Sequence, residues 1–239
     1  MKTLLSFLLL FLAGTCFGQF IELAPMNAPR YGHTVSTLSD GNVLVTGGMG
    51  DGSTWSSAEI WNGYSDSWMT VEAMNVPRVS HQANVITGGK VFISGGWDGA
   101  SANHSSTAIY DPEFDSWDPG PDMSVGRSNH RTIALQNDLI LITGGYDGND
   151  DQTSCDIFDP ADGSMYATGD MNMARSSHTL SLLADGRVLA IGGFNPNEGF
   201  QLTHCEIYNP GTGTWEVIDP MASGRDNHAA AMYNAKIIV

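Results

Sequence analysis

The chain has 239 residues, with 26 acidic side chains against 10 basic ones and a formal charge of −16. Such acidity argues against nucleic acid and anionic membrane as partners, because both are bound by a basic face that displaces counterions. Abundant glycine, moderate hydrophobicity and few lysines suit a globular β protein.

In chain order, Met1-Lys2 precedes an apolar run from Leu4 to Ala13, and small or polar residues follow through Gly18. This pattern predicts a secretory signal peptide over residues 1–18: the run is too short to span a bilayer comfortably, and its one lysine lies in front of it. Cys16 leaves with that segment. No later stretch is apolar enough to form a membrane span, so the mature chain is expected to be secreted and extracellular.

Residues 19–239 follow one beat. Glycine pairs stand at Gly47-Gly48, Gly95-Gly96, Gly144-Gly145 and Gly192-Gly193, at intervals of 48, 49 and 48 residues. Arg30, Arg78, Arg127, Arg175 and Arg225 keep the same period. Each has a methionine four residues before it (Met26, Met74, Met123, Met171, Met221) and a histidine three residues after it (His33, His81, His130, His178, His228). Aromatics fall at Trp61, Tyr110, Phe158 and Tyr208, and seven residues on come Trp68, Trp117, Met165 and Trp215, so one tryptophan slot is broken. A fixed period near fifty signals a repeat architecture.

Each unit reads as four short strands. The first begins at the histidine and ends in a hairpin such as Ser39-Asp40-Gly41. The second is the apolar run before the glycine pair, and its lack of alternation means that both faces are buried. A variable polar loop leads to the third strand (Ala58-Glu59-Ile60-Trp61, Cys205-Glu206-Ile207-Tyr208), and the fourth carries the tryptophan. Four antiparallel strands per unit, stacked sheet on sheet, describe the blades of an all-β propeller.

With the glycine pair, the spaced aromatic and tryptophan and this period, the chain resembles the kelch-repeat family. The acidic-Gly turn, apolar strand and Gly-Gly of Asp185 to Gly193 are similar to the kelch propeller portion of galactose oxidase-like proteins. The expected repeats are residues 25–72, 73–121, 122–169 and 170–219, with a partial unit at 220–239, about four and a half repeats in all. Phe20-Ile21-Glu22-Leu23 reads as a lone fourth strand that closes a ring. The expectation is of a propeller that is incomplete as given, a fragment or truncated product.

The candidate ligand-binding residues are of two kinds. The periodic arginines Arg30, Arg78, Arg127, Arg175 and Arg225 either form a ring of guanidiniums for carboxylates or acidic glycans, or serve as blade parts paired with nearby acids and carbonyls. Trp97, Tyr146 and Phe194 follow the glycine pairs on variable loops and offer faces for stacking on sugars or anchoring a protein. The eight paired glycines with Trp68, Trp117 and Trp215 are structural.

The histidines, one per unit, are spread too widely to converge on a metal, so none is expected, nor any cofactor. Cys155 and Cys205 occupy equivalent third-strand positions that point the same way, which predicts two buried thiols rather than a bridge. Asn103-His104-Ser105 is a glycosylation sequon. These features point to a secreted binding or interaction protein with a protein or glycan ligand. The alternative is the propeller portion of a carbohydrate-active enzyme, either a galactose oxidase-like copper oxidase or a sialic acid epimerase, with its catalytic residues mostly outside this chain.

Overall fold

The computed structural model describes residues 22–234 and 236–239. Four four-stranded antiparallel sheets follow one another, each ordered as the chain runs. Blade 1 comprises β1 (Thr34–Thr37), β2 (Val43–Thr46), β5 (Ala58–Asn62) and β6 (Ser67–Val71), with the ribbon β3 (Met49–Gly50) and β4 (Ser53–Thr54) in the loop between its second and third strands. Blade 2 is β7 (Gln82–Val85), β8 (Val91–Ser94), β9 (Thr107–Asp111) and β10 (Ser116–Pro119). Blade 3 is β11 (Arg131–Ala134), β12 (Ile140–Thr143), β13 (Cys155–Asp159) and β14 (Ser164–Thr168).

Blade 4 has β15 (Thr179–Leu182), β16 (Val188–Ile191), β19 (Cys205–Asn209) and β20 (Thr214–Ile218), with β17 (Phe194–Asn195), the 3-10 turn Pro196–Glu198 and β18 (Phe200–Gln201) in its loop. A hairpin of β21 (Ala231–Tyr233) and β22 (Lys236–Ile238) follows, so the first strand of this fifth unit lies nearer the carboxyl end than the histidine-led pattern predicts.

The signal-peptide reading of residues 1–18 and the start of the expected closing strand, Phe20-Ile21, lie outside the described residues. Glu22 and Leu23 carry no strand pairing. Ala24 nevertheless sits in the periodic register: its carbonyl accepts Trp68 Nε1 at 2.7 Å, as Glu72 accepts Trp117 and Gly169 accepts Trp215.

The second strands are the buried centre, as their apolar runs require. Val91, Phe92 and Ile93 are fully buried, each in contact with one neighbouring sheet or the other. Leu44, Ile60 and Val71 of blade 1 pack on Val91, Ile93 and Tyr110 of blade 2, and Phe92 of blade 2 meets Ile140, Ile142 and Phe158 of blade 3. Each such side chain contributes roughly 1.5–3 kcal/mol by leaving water. The broken tryptophan slot has a local account. Phe158 stacks on Phe92 at 4.1 Å, Met165 packs beside that pair, and the Pro121 carbonyl, which an indole would reach, accepts the Thr107 hydroxyl at 2.7 Å.

Cys155 and Cys205 are buried free thiols. Burial pushes the Cys155 thiol up to about 12 and raises that of Cys205.

Candidate functional site

The Met-Arg-His periodicity is an inter-blade joint. The first glycine of each pair has φ between +55° and +61° and the second between +94° and +111°, a backbone region that favours glycine. A methyl group on Gly95 would run into the Arg127 carbonyl, the His130 ring and the Met123 thioether of the next blade, and Gly47, Gly144 and Gly192 meet the same trio in turn. The second glycine donates to that arginine's carbonyl: Gly48 to Arg78 at 2.8 Å, Gly96 to Arg127 at 2.9 Å, Gly145 to Arg175 at 2.9 Å and Gly193 to Arg225 at 3.0 Å. The four histidines after His33 each reach back to a hydroxyl on the preceding blade, His81 to Thr46 at 2.9 Å, His130 to Ser94 at 2.8 Å, His178 to Thr143 at 2.7 Å and His228 to Thr179 at 3.0 Å. Burial, with the neighbouring arginine second, lowers the His81 pKa to about 3, and His130 and His178 also fall well below the ordinary histidine value. Among the described residues no three His, Cys, Asp or Glu side chains converge as a metal would need.

The arginines expected as ligand candidates are held inside the blades instead of around a mouth. Arg30, Arg78, Arg127 and Arg175 are exposed by 8, 2, 0 and 0%. Each donates through Nη1 to the carbonyl of its own blade's first glycine, at 2.8, 2.6, 2.8 and 2.7 Å. Three pair with a buried third-strand carboxylate: Arg30 with Glu59 at 2.5 Å, Arg127 with Asp156 at 3.0 Å and Arg175 with Glu206 at 2.7 Å. An arginine fork suits this role because one planar group can satisfy several acceptors together. Arg225 is half-buried, donating to the Val239 carbonyl and the Ser223 hydroxyl.

The three loop aromatics do come together. Trp97, Tyr146 and Phe194 occupy one equivalent slot in blades 2, 3 and 4, where each is bridged to the residue after its blade's arginine: Val79, Ser128 and Ser176. A groove of about 410 Å³ between blades 2 and 3 is lined by Trp97, Tyr146, Asn103, Ser80 and Asn129. A second, of about 370 Å³ between blades 3 and 4, is lined by Tyr146, Phe194, Asp151, Asn129 and Ser177. Tyr146 and Asn129 border both, so the grooves are contiguous. Their lining residues include no lysine or arginine.

Sequence reasoning missed two sets of groove residues. The residue two after each arginine, Gly32, Ser80, Asn129, Ser177 and Asn227, has φ between +48° and +64°. From Ser80 onward the N–H of this residue donates to the carbonyl of its counterpart one blade earlier, at 2.9 to 3.0 Å, making a backbone chain around the axis. Gly, Ser and Asn alternating in that slot was the available signal, since Asn and Gly tolerate this conformation best. The second set is Asn103 and Asp151, each bridged to its loop's aromatic, Trp97 or Tyr146, with Oδ1 atoms buried without a partner among the described residues. Burial raises the Asp151 carboxyl, opposed by a hydrogen bond from Ser176. Asn103, the sequon residue, is half-buried at this groove.

A chain of four-stranded antiparallel blades joined edge to axis in this way is a β-propeller repeat protein. The kelch motif matches residues 78–124 and 175–222, which span blades 2 and 4 of the chain. No curated protein matches it. Among solved structures it is similar to one titled "Structure of YjhT", with a TM-score of 0.74 at 15% identity, over 90% of this chain and 78% of that one.

Proposed function

We propose that this kelch-repeat chain is a secreted binding protein that receives a neutral glycan or a protein segment in the contiguous grooves of blades 2 to 4. The observation that carries the reading is that three aromatics in one structural slot flank a polar floor holding unpartnered Asn103 and Asp151 oxygens. Aromatic faces with a few fixed polar groups are what sugar rings and protein anchors require. The absence of cationic lining favours neutral ligands over sulfated or sialylated ones. The leader reading of residues 1–18 belongs to the same proposal.

The test is a printed panel of neutral and acidic glycans, probed with the wild-type protein and with Trp97→Ala and Tyr146→Ala variants. Binding to neutral members that falls at least tenfold in both variants, with unchanged melting temperature, supports the site. Binding that is indifferent to both substitutions, or confined to acidic glycans, sinks it.

A further inference from the structure

Blade 2 departs from the other three at one position. The slot filled by Glu59, Asp156 and Glu206 is Ala108 there, a buried residue of the apolar cluster joining blades 1 and 2. In the other blades the slot's carboxylate serves more than the arginine. Glu59 accepts the Asn27 N–H at 2.8 Å, Asp156 accepts the Ser124 hydroxyl at 2.9 Å, and Glu206 accepts the Asn172 and Met173 N–H groups at 2.7 and 3.0 Å. In blade 2 the corresponding donors are the N–H groups of Asn75 and Val76, and neither has a hydrogen-bond acceptor among the described residues.

The charge balance differs in the same place. Arg78 is 2% exposed, donates to the Gly95 and Ser106 carbonyls and the Ser106 hydroxyl, and forms no salt bridge among the described residues. Burial lowers its pKa to about 10, against the partial compensation of Asp122, which makes no hydrogen bond to it. A buried guanidinium without an adjacent counter-charge is costly, and the N–H groups of exposed Asn75 and half-buried Val76 are left for an outside acceptor. The repeat supplies the template for what is missing, since three blades place a carboxylate oxygen at this point.

We propose that blade 2 binds a small monovalent anion, a free carboxylate such as formate or a halide, in the Ala108 slot, held by Arg78 Nη2 and the backbone amides of Asn75 and Val76. The ion takes the place of a side-chain carboxylate and completes the joint that the other blades make with an acidic residue of their own. Stability of the chain is thereby linked to the anion in its surroundings, as for any ligand that binds only the folded state.

The experiment compares thermal melting of wild-type, Ala108→Glu and Ala108→Leu proteins in sodium formate titrations, and locates bromide by anomalous diffraction in soaked wild-type crystals. The expected result is a wild-type melting temperature that rises by about 2–4 °C with formate beyond the change in either variant, because one variant supplies the carboxylate and the other fills the space. Ala108→Glu is expected to start higher than wild type in anion-poor buffer. Bromide is expected within hydrogen-bond distance of Arg78 Nη2. The proposal is overturned if wild type and Ala108→Leu respond alike to formate, or if bromide leaves that slot empty. The crystal arm stands even if a variant does not fold.

Discussion

The Arg127 carbonyl oxygen accepts the Gly96 N–H at 2.9 Å across the boundary between blades 2 and 3, and it occupies the space that a side chain on Gly95 would need. One backbone atom therefore fixes both glycines of the pair. Gly95→Ala is expected to cost more than about 3 kcal/mol, from steric conflict added to a strained φ. Gly88→Ala, with φ +86° but open space around it, is expected to cost about 1 kcal/mol. Urea denaturation of the two variants separates the effects, and equal losses would refute the joint.

The buried histidines make the fold acid-sensitive. His81, His130 and His178 have folded-state pKa values below the ordinary histidine range, chiefly through burial. The unfolded chain therefore takes up protons that the folded chain refuses. Their stabilising effect is complete above about pH 6.5 and is lost as pH falls below it, by up to ~1.4 kcal/mol per pH unit for each histidine. Melting temperatures measured from about pH 7.5 down to about pH 5 should fall steadily below the upper end of that histidine range. A flat profile would contradict neutral burial.

Glu206→Ala would leave the Arg175 guanidinium, fully buried, without its carboxylate. The expected loss is about 3–5 kcal/mol, as for other broken buried pairs. Chemical denaturation reads it directly. A loss under about 1 kcal/mol would mean that the pair is solvated like a surface bridge.

The two thiols should be hidden rather than joined. Burial raises both Cys155 and Cys205, so neither offers thiolate near neutral pH. An aromatic disulfide reagent is expected to leave both untouched in the native protein and to titrate both in denaturant. Failure to titrate after unfolding without reductant would reveal a bridge.

Much of the fold was legible because repetition amplifies weak signals. A polar turn such as Asp40-Gly41, an apolar run such as Val43 to Val45 and a glycine pair such as Gly47-Gly48 are each common patterns, but their return every 48 or 49 residues specifies a blade. The side of the blade on which the arginines act was harder to read. Their period equally fits a ring of ligand-binding groups and a ring of struts, and only the acceptors, Gly144 O with Asp156 for Arg127, distinguish them. The aromatic slot was visible as variable loops, whereas its polar partners Asn103 and Asp151 were obscured by loops of unequal length.

By itself the sequence determined the period, the four-strand unit, the buried second strands and the two unbridged cysteines, since each depends on local pattern and on equivalence between repeats. Tertiary structure alone decided which blade each periodic residue serves. Methionine, arginine carbonyl and histidine converge on the glycine of the preceding blade, across about thirty residues of chain. That pairing comes from sheets stacking face to face, a long-range packing choice that no local period encodes. The same stacking brings Trp97 beside Tyr146 and leaves Arg78 facing an alanine where its counterparts meet a carboxylate.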